Sequence, residues 1–500
     1  MATGVHRRTG PGTAPGPAWA GAAAACTVAV ASLLFIGPLT PMLLLGMILA
    51  LLVAAFRPKA FALLAVLVIV LSTPIQNVLG SLGSYADEGV VALAAVAFGV
   101  RRLVTEGRLI WLPGSGWFLG YLVAGLLSSA LAGVSAATAA PTAFIALKGV
   151  VFAFALAQLP WTREDLVTVI RLGIAAVMTV AISGALNLIA PAAWAQLTTG
   201  RAPISYIGPI PAINGIFQHP AAFSRFSGVL AVGALVYGLV VRRSLANAVL
   251  LAVSGGLAVL TFQVKSIVGL LATLGAVGAR FLRPVGIATL LCTAPLAALI
   301  AAPPLVSLIG GDIEVYLVQD SARSALTEGG LTVAAQYFPL GAGFGRYGSS
   351  TAAEDYSPLY YSLGFPDRYG LGPGPDSGQF LNDSQWPAIY GEAGWLGAVC
   401  FAAGLGCMLV SLLRPTAAGE EPLVRWMRVA GIGWIILLLV ESAAAPVFVS
   451  APSFPFAFVA AGIIASFRVA ARDDRSRTGL DDPTRRRGTG RHRWPSIPRQ

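Results

Sequence analysis

The chain has 500 residues, 56% of them hydrophobic and only 11% charged, with a formal net charge of +11 and a mean hydropathy of +0.77. Soluble domains carry about 25% charged residues, so composition excludes the water-soluble globular class. It does not point to nucleic acid either: there are only three lysines, and the arginines sit in short runs between apolar stretches, as in the cytoplasmic loops of multi-span membrane proteins.

A span needs about 20 apolar residues, with a range of about 17–25. In chain order, apolar windows predict spans at 18–37, 39–56, 60–79, 88–100, 116–134, 141–159 and 166–189. The second half adds 221–241, 245–262, 266–282, 285–302, 388–412, 427–446 and 452–470. The expected fold class is therefore an all-α polytopic membrane protein of about fourteen transmembrane helices with one large external loop. Arg7 and Arg8 before the first apolar run imitate a secretory signal. That run continues to Gly37 without a polar cleavage region, so an uncleaved first span is expected. The basic residues Arg57, Lys59, Arg101, Arg102, Arg108, Arg163, Arg242, Arg243, Arg280, Arg283, Arg414, Arg425 and Arg428 all fall in alternate connections. They place both termini in the cytoplasm of a plasma-membrane protein.

The organisation that follows has short tails and two long outward segments. Residues 1–17 form a cytoplasmic tail, and 18–302 the first part of the bundle, with an external segment at 190–220. Residues 303–387 form the large external loop, 388–470 the last three helices, and 471–500 an arginine-rich tail without apolar periodicity, expected to be disordered. Cys26, Cys292, Cys400 and Cys407 each lie in an apolar run, so neither a disulfide framework nor metal-ligand spacing is expected.

The large loop is the longest polar interval in the chain. It carries Asp312, Glu314, Asp320, Glu328, Glu354, Asp355, Asp367, Asp376 and Asp383 against Arg323, Arg346 and Arg368. Within it, 320–337 has helical periodicity, with Ala322, Leu326, Leu331, Ala334 and Ala335 on one side and Asp320 as the cap. A glycine run and a Tyr/Ser/Pro stretch follow, where irregular structure is expected. The aromatics Tyr356, Tyr360, Tyr361, Phe365 and Tyr369 favour a packed loop over a disordered one. Gly343-Phe-Gly345-Arg-Tyr-Gly348 matches a dinucleotide fingerprint in letters only, because Pro339 precedes it and no strand–helix unit surrounds it. Two readings remain: a tight turn bringing backbone amides and Arg346 to a ligand, or a plain flexible turn.

Charges inside or at the rim of spans mark function by default, and Lys148, Arg225, Lys265 and Glu441 are such charges. The topology puts Arg225 and Lys265 on the external rim, and Arg201, Arg323, Arg346 and Arg368 in the outward segments. Convergence of these six cations would suit phosphate recognition; snorkelling and pairing with loop acids is the structural alternative. His219 stands where the span carrying Arg225 begins, while Asp383 and Glu392 flank the start of the span at 388–412. A carboxylate there is a candidate general base for a hydroxyl.

Several motifs in order resemble the O-antigen ligase and polysaccharide polymerase superfamily of membrane glycosyltransferases. Gly215-Ile-Phe217-Gln-His219-Pro220 resembles that family's approach to a central span. Thr261-Phe-Gln-Val-Lys265-Ser266 stands at the family's Ser-Arg-Ser-like turn, with lysine in place of arginine. Arg323 followed by Pro339-Leu-Gly341-Ala-Gly343-Phe-Gly345 resembles its arginine helix and glycine run. Asp383-Ser-Gln-Trp386, then Glu392-Ala-Gly394-Trp-Leu-Gly397, resembles its H-N-x-Y and E-x-G-L-x-G pair. Asp383 and Ser384 depart from the ligases' His-Asn, which leans towards a polymerase-like branch.

The resemblance implies a GT-C-like architecture. The donor would be a polyprenyl-diphosphate-linked glycan and the acceptor a glycan or lipid-linked sugar hydroxyl. Membrane lipids and envelope-polysaccharide assembly proteins would be partners, and neither cofactor nor metal is required. It makes Asp383 or His219 the base, and Arg225, Lys265, Arg323, Arg346 and Arg201 the diphosphate ligands. Gly343, Gly345 and Glu392 would position the loop. A transporter or flippase of lipid-linked or envelope glycan, and a non-catalytic scaffold of envelope polysaccharide assembly, are the alternatives.

Overall fold

A computed structural model describes residues 40–200, 206–207, 210–261, 263–281, 321–374 and 377–477. The expected spans at 18–37 and 285–302, both tails, Arg201, Asp320, Asp376 and loop residues 303–320 lie outside the described residues. The helices are α1 (Thr40–Phe56), α2 (Pro58–Val70), α3 (Ser72–Leu79), α4 (Ala86–Glu106), α5 (Ser115–Leu131), α6 (Ala136–Ala157), α7 (Arg163–Ile189) and α8 (Pro191–Thr199). They continue with α9 (Pro220–Val240), α10 (Leu245–Leu260), α11 (Val264–Phe281), α12 (Ala322–Gln336), α13 (Ser350–Glu354) and α14 (Pro358–Ser362). The last three are α15 (Gln385–Leu413), α16 (Pro422–Glu441) and α17 (Phe454–Arg477). A pair of two-residue strands, Tyr206–Ile207 and Ile210–Pro211, forms a small antiparallel hairpin before α9.

Among the described residues, six helices are long and apolar enough to cross a membrane, or up to seven if the bent pair α2–α3 is one span. They are α6, α7, α9, α15, α16 and the Phe454–Asp473 part of α17, with shorter apolar helices at α5, α10 and Lys265–Ala279. The arrangement is consistent with a multi-pass membrane protein. In α7 the side chains of Leu172, Ile174, Met178, Ile182, Leu186 and Ile189 are exposed, an apolar face that only lipid can cover.

The fold departs from the expected spans in two places. The window 60–79 is not one straight helix: α2 and α3 meet at 72°. The window 427–446 stops at Glu441, and a coil at 442–453 with buried Ala445, Val447 and Phe448 leads into α17. Pro446 and Pro452 sit in that coil, where proline removes helical donors.

Successive helices run antiparallel, so the starts of α9, α11 and α15 meet the end of α16 at one end of the bundle. Arg225 bonds to Glu441, Lys265 to the Ala444 carbonyl and Ser384 to the Ala443 carbonyl there. The large loop folds over the same end with a core of its own, built from Leu326, Val333, Tyr347, Tyr356, Tyr360, Phe365, Leu371 and Leu381. Of the expected interfacial aromatics, Tyr356, Tyr360 and Phe365 are buried, while Tyr361 and Tyr369 are exposed.

Helix α12 forms as its periodicity predicts, with a different cap and face. Ser321 is the N-cap, its hydroxyl accepting from the Ser324 N–H. The buried side is Ala325, Leu326, Gly329, Gly330, Val333 and Ala334, and Leu331 is exposed. The two glycines were not legible as core. A Cβ at Gly330 would come 2.7 Å from the Tyr390 ring and one at Gly329 2.6 Å from the Tyr347 hydroxyl, so α12 can lie this close to α15 only without side chains there.

Candidate functional site

A candidate site gathers polar side chains from the starts of α9, α11 and α15 and from the coil after α16. Its residue at α9 is His219. The chain turns extended there, and the imidazole caps the helix, with Nδ1 accepting the Ala221 N–H at 3.1 Å. With Nδ1 spent on an acceptor role, the neutral ring carries its proton on Nε2. Burial, then the nearby Lys265 cation, pushes the His219 pKa down to about 4, with Arg225 and Arg323 adding to the effect and Asp383 opposing it. The ring is nevertheless solvent-accessible. Both properties hold for a ring that has one side in solvent and protein packed around the rest.

Lys265 begins α11 half-buried, and its Nζ donates to the Ala444 carbonyl at 2.7 Å. No carboxylate among the described residues pairs with it, although it lies in the field of Asp383, Arg225, Arg323 and Glu441. Asp383, two residues before α15, takes the Arg323 Nε–H at 2.9 Å and an Arg323 Nη2–H, both on Oδ2. Its Oδ1 takes no hydrogen bond from a described residue. A carboxylate anchored through one oxygen and open at the other is poised to accept a ligand proton.

Arg225 needs a correction. It is 5% exposed, and its Nε–H donates to Glu441 Oε2 at 2.7 Å and its Nη1–H to Ser453 Oγ at 3.3 Å. Glu441 is fully buried. An internal ion pair of this kind neutralises both members, so Arg225 is not an open diphosphate ligand.

The glycine turn needs the second correction, because its amides serve a buried carboxyl group of the chain itself. Helix α15 breaks at Gly394, where φ is +68°, a left-handed value that favours glycine. The break frees two carbonyls, Gly391 O and Glu392 O, which accept from Ala342 N at 2.8 Å and Gly343 N at 2.9 Å. Residues 339–345 thus pair with the opened turn of the helix. A Cβ on Gly394 would fall 2.5 Å from the Pro339 carbonyl oxygen, and one on Gly341 2.5 Å from that of Glu392.

The turn then wraps the Glu392 carboxylate, which is buried. Its Oε1 accepts from Gly345 N at 2.8 Å, Tyr347 N at 3.3 Å and the Ser349 hydroxyl. Successive amides converging on an anion form a nest, and this one is filled by a side chain of the protein. Gly343 and Gly345, with φ of +98° and +80°, make the turn possible. The turn docks against α5 and α6 through Phe344 N on Ser129 Oγ at 2.8 Å and Thr142 with Thr351 at 3.0 Å.

The structure therefore brings His219, Lys265, Arg323 and Asp383 together, with Arg225 behind them. It gives Glu392, Gly343 and Gly345 to loop docking. Arg346 is half-buried and has no contact that joins it to these residues among the described ones. The sequence reading missed Ala444, Ser453 and the coil that carries them; the prolines at 446 and 452 were the available signal. No group of three or more His, Cys, Asp or Glu that could hold a metal occurs among the described residues. No family model matches the chain, and no curated protein matches it.

Proposed function

We propose that the chain is a membrane glycosyltransferase of the O-antigen ligase and polymerase type, acting at the external face of the plasma membrane. The observation that carries this reading is the Lys265 cation, held by a carbonyl and paired with no described carboxylate, in the field of Asp383, whose second oxygen takes no hydrogen bond from a described residue. An anionic ligand completes that charge balance, and a hydroxyl next to it meets a base. The donor is a glycan on a polyprenyl diphosphate, the acceptor a sugar hydroxyl of another glycan or lipid-linked unit. The acceptor oxygen bonds to the anomeric carbon as the carbon–oxygen bond to the diphosphate breaks, with inversion. The hydroxyl proton passes to Asp383 Oδ1, and Lys265 with Arg323 opposes the charge on the departing diphosphate. His219 offers its Nε2–H rather than acting as base. About fourteen crossings result when the shorter apolar helices, α1, α4 and the expected spans at 18–37 and 285–302 are added to the six or seven long ones.

Purified protein in lipid vesicles, given a diphosphate-linked glycan on one side, should lengthen or transfer it, and Lys265→Met should abolish the product. Product formation unchanged in Lys265→Met refutes the reading. A second reading, transport of a glycan lipid, is favoured by the broken α2–α3 pair and the buried charges near it. It predicts movement of the intact unit across the vesicle without a new glycosidic bond.

A further inference from the structure

The first turn of α4 carries Asp87 and Glu88, and both face Lys148 in α6. Lys148 Nζ donates to Asp87 Oδ2 at 2.6 Å and also to Glu88 Oε1. Lys148 lies twelve positions into a 22-residue helix, which at about 1.5 Å per residue places it near the middle of the bundle. Lys148 is 4% and Asp87 5% exposed. The Phe454 ring that opens α17 covers the ammonium at 4.9 Å. The residue before it, Ser453, is the one that binds Arg225. The cluster and the Arg225–Glu441 pair thus meet adjacent residues of the chain, Phe454 and Ser453.

Two carboxyl groups and one ammonium leave an excess negative charge in a medium that tolerates none. Both carboxyl groups bond the same Lys148 Nζ, which holds their charges close together. Like charges so close favour the state in which one of them keeps its proton. Glu88 Oε2 is buried and has no hydrogen-bond partner, so Glu88 has an oxygen to spare, whereas Asp87 is the better sealed of the two. Among the described residues no cation other than Lys148 pairs with either carboxyl, and Arg225, on the far side of Ser453, is taken by Glu441. Helices α1 and α3 carry no charged residue, and the only one on α2 is Lys59, which pairs with Asp165. Lys148 is the only charged residue of α6, and α17 has none before Arg468.

We propose that Asp87 and Glu88 form a buried proton-binding site, with the proton carried by Glu88 and shared towards Asp87. This holds whether the site at His219, Lys265 and Asp383 handles a glycosyl donor or another anion. The site keeps α4, α6 and the start of α17 in register with a net-neutral interior. Loss of the proton leaves an unpaired charge against the coil that also holds Ser453.

The test is infrared spectroscopy of the full-length protein in nanodiscs at neutral pH, followed by melting at several pH values. The native protein should show a protonated-carboxyl carbonyl band that Glu88→Gln removes. Lys148→Met should strengthen the band, because both carboxyls then keep protons. The stability of the native protein relative to Glu88→Gln should fall as pH rises from the ordinary carboxylate range into neutrality. The folded state holds a proton there that the unfolded chain releases. The proposal is overturned if the band is absent, if only Asp87→Asn removes it, or if the two pH profiles coincide. Failure of Glu88→Gln to fold also overturns it, since an amide matches the shape of a protonated carboxyl.

Discussion

Replacing Glu392 by alanine tests the strongest structural claim, that an internal carboxylate holds the glycine turn. The substitution removes the acceptor of the Gly345 and Tyr347 amides and of the Ser349 hydroxyl. The hydroxyl can turn elsewhere, but the two backbone amides stay buried. Each orphaned donor costs about 1–3 kcal/mol, so the loss is about 2–6 kcal/mol. That is a large share of a typical stability of about 5–15 kcal/mol. Glu392→Gln keeps an acceptor of the same shape and should lose far less. Thermal melting in detergent gives the global effect, and limited proteolysis between 340 and 350 reports whether the turn has detached. Wild-type melting and protease resistance in Glu392→Ala would refute the nest, as would equal damage by alanine and glutamine.

Arg225→Ala should cost about 3–5 kcal/mol by stranding the Glu441 charge, and Arg225→Met with Glu441→Leu should recover much of it; melting of the single and double variants measures the coupling. Gly394→Ala should destabilise by about 1–3 kcal/mol or more, because the Pro339 carbonyl occupies the space a Cβ needs and φ is positive; retained melting would remove the break from the account. His219 is held neutral, with a pKa of about 4 against an ordinary 6.5, so stability should fall as pH drops through that window, where the unfolded chain takes up the proton first. His219→Asn, which keeps a capping acceptor, should lose that acid sensitivity in a pH series of melts. Asp383→Asn should lower glycosyl transfer by about 10²–10⁴-fold if Asp383 is the base, while Glu354→Gln should leave it unchanged. Cysteine at exposed Ser362 should be labelled from outside intact cells, and labelling only after permeabilisation would invert the topology.

Much of the bundle was legible because a span is a local property. Twenty apolar residues in a row declare themselves without reference to any neighbour, so helices α4 to α7, α9 to α11 and α15 to α17 begin close to where their windows do. The α2–α3 bend and the end of α16 were not legible, since both windows stay apolar through the change of direction. The charges show the same division. Composition marks Arg225, Glu441, Lys148 and Lys265 as costly inside a membrane, and so as residues that need a partner.

Only the tertiary structure decides the partner. Arg225 finds Glu441 across 216 positions of chain, Lys148 finds Asp87 across 61, and Lys265 finds a carbonyl and no acid. Identical residue types thus become a neutralised pair, a carboxylate-rich cluster and an open cation. The glycine run shows the same limit, since its spacing forecasts a turn with converging amides and says nothing of the acceptor they bind. That acceptor is Glu392, 47 positions beyond Gly345, brought there by the break in α15. Chain chemistry by itself settles the need for charge balance in an apolar phase. The three-dimensional arrangement decides which charges remain for a ligand.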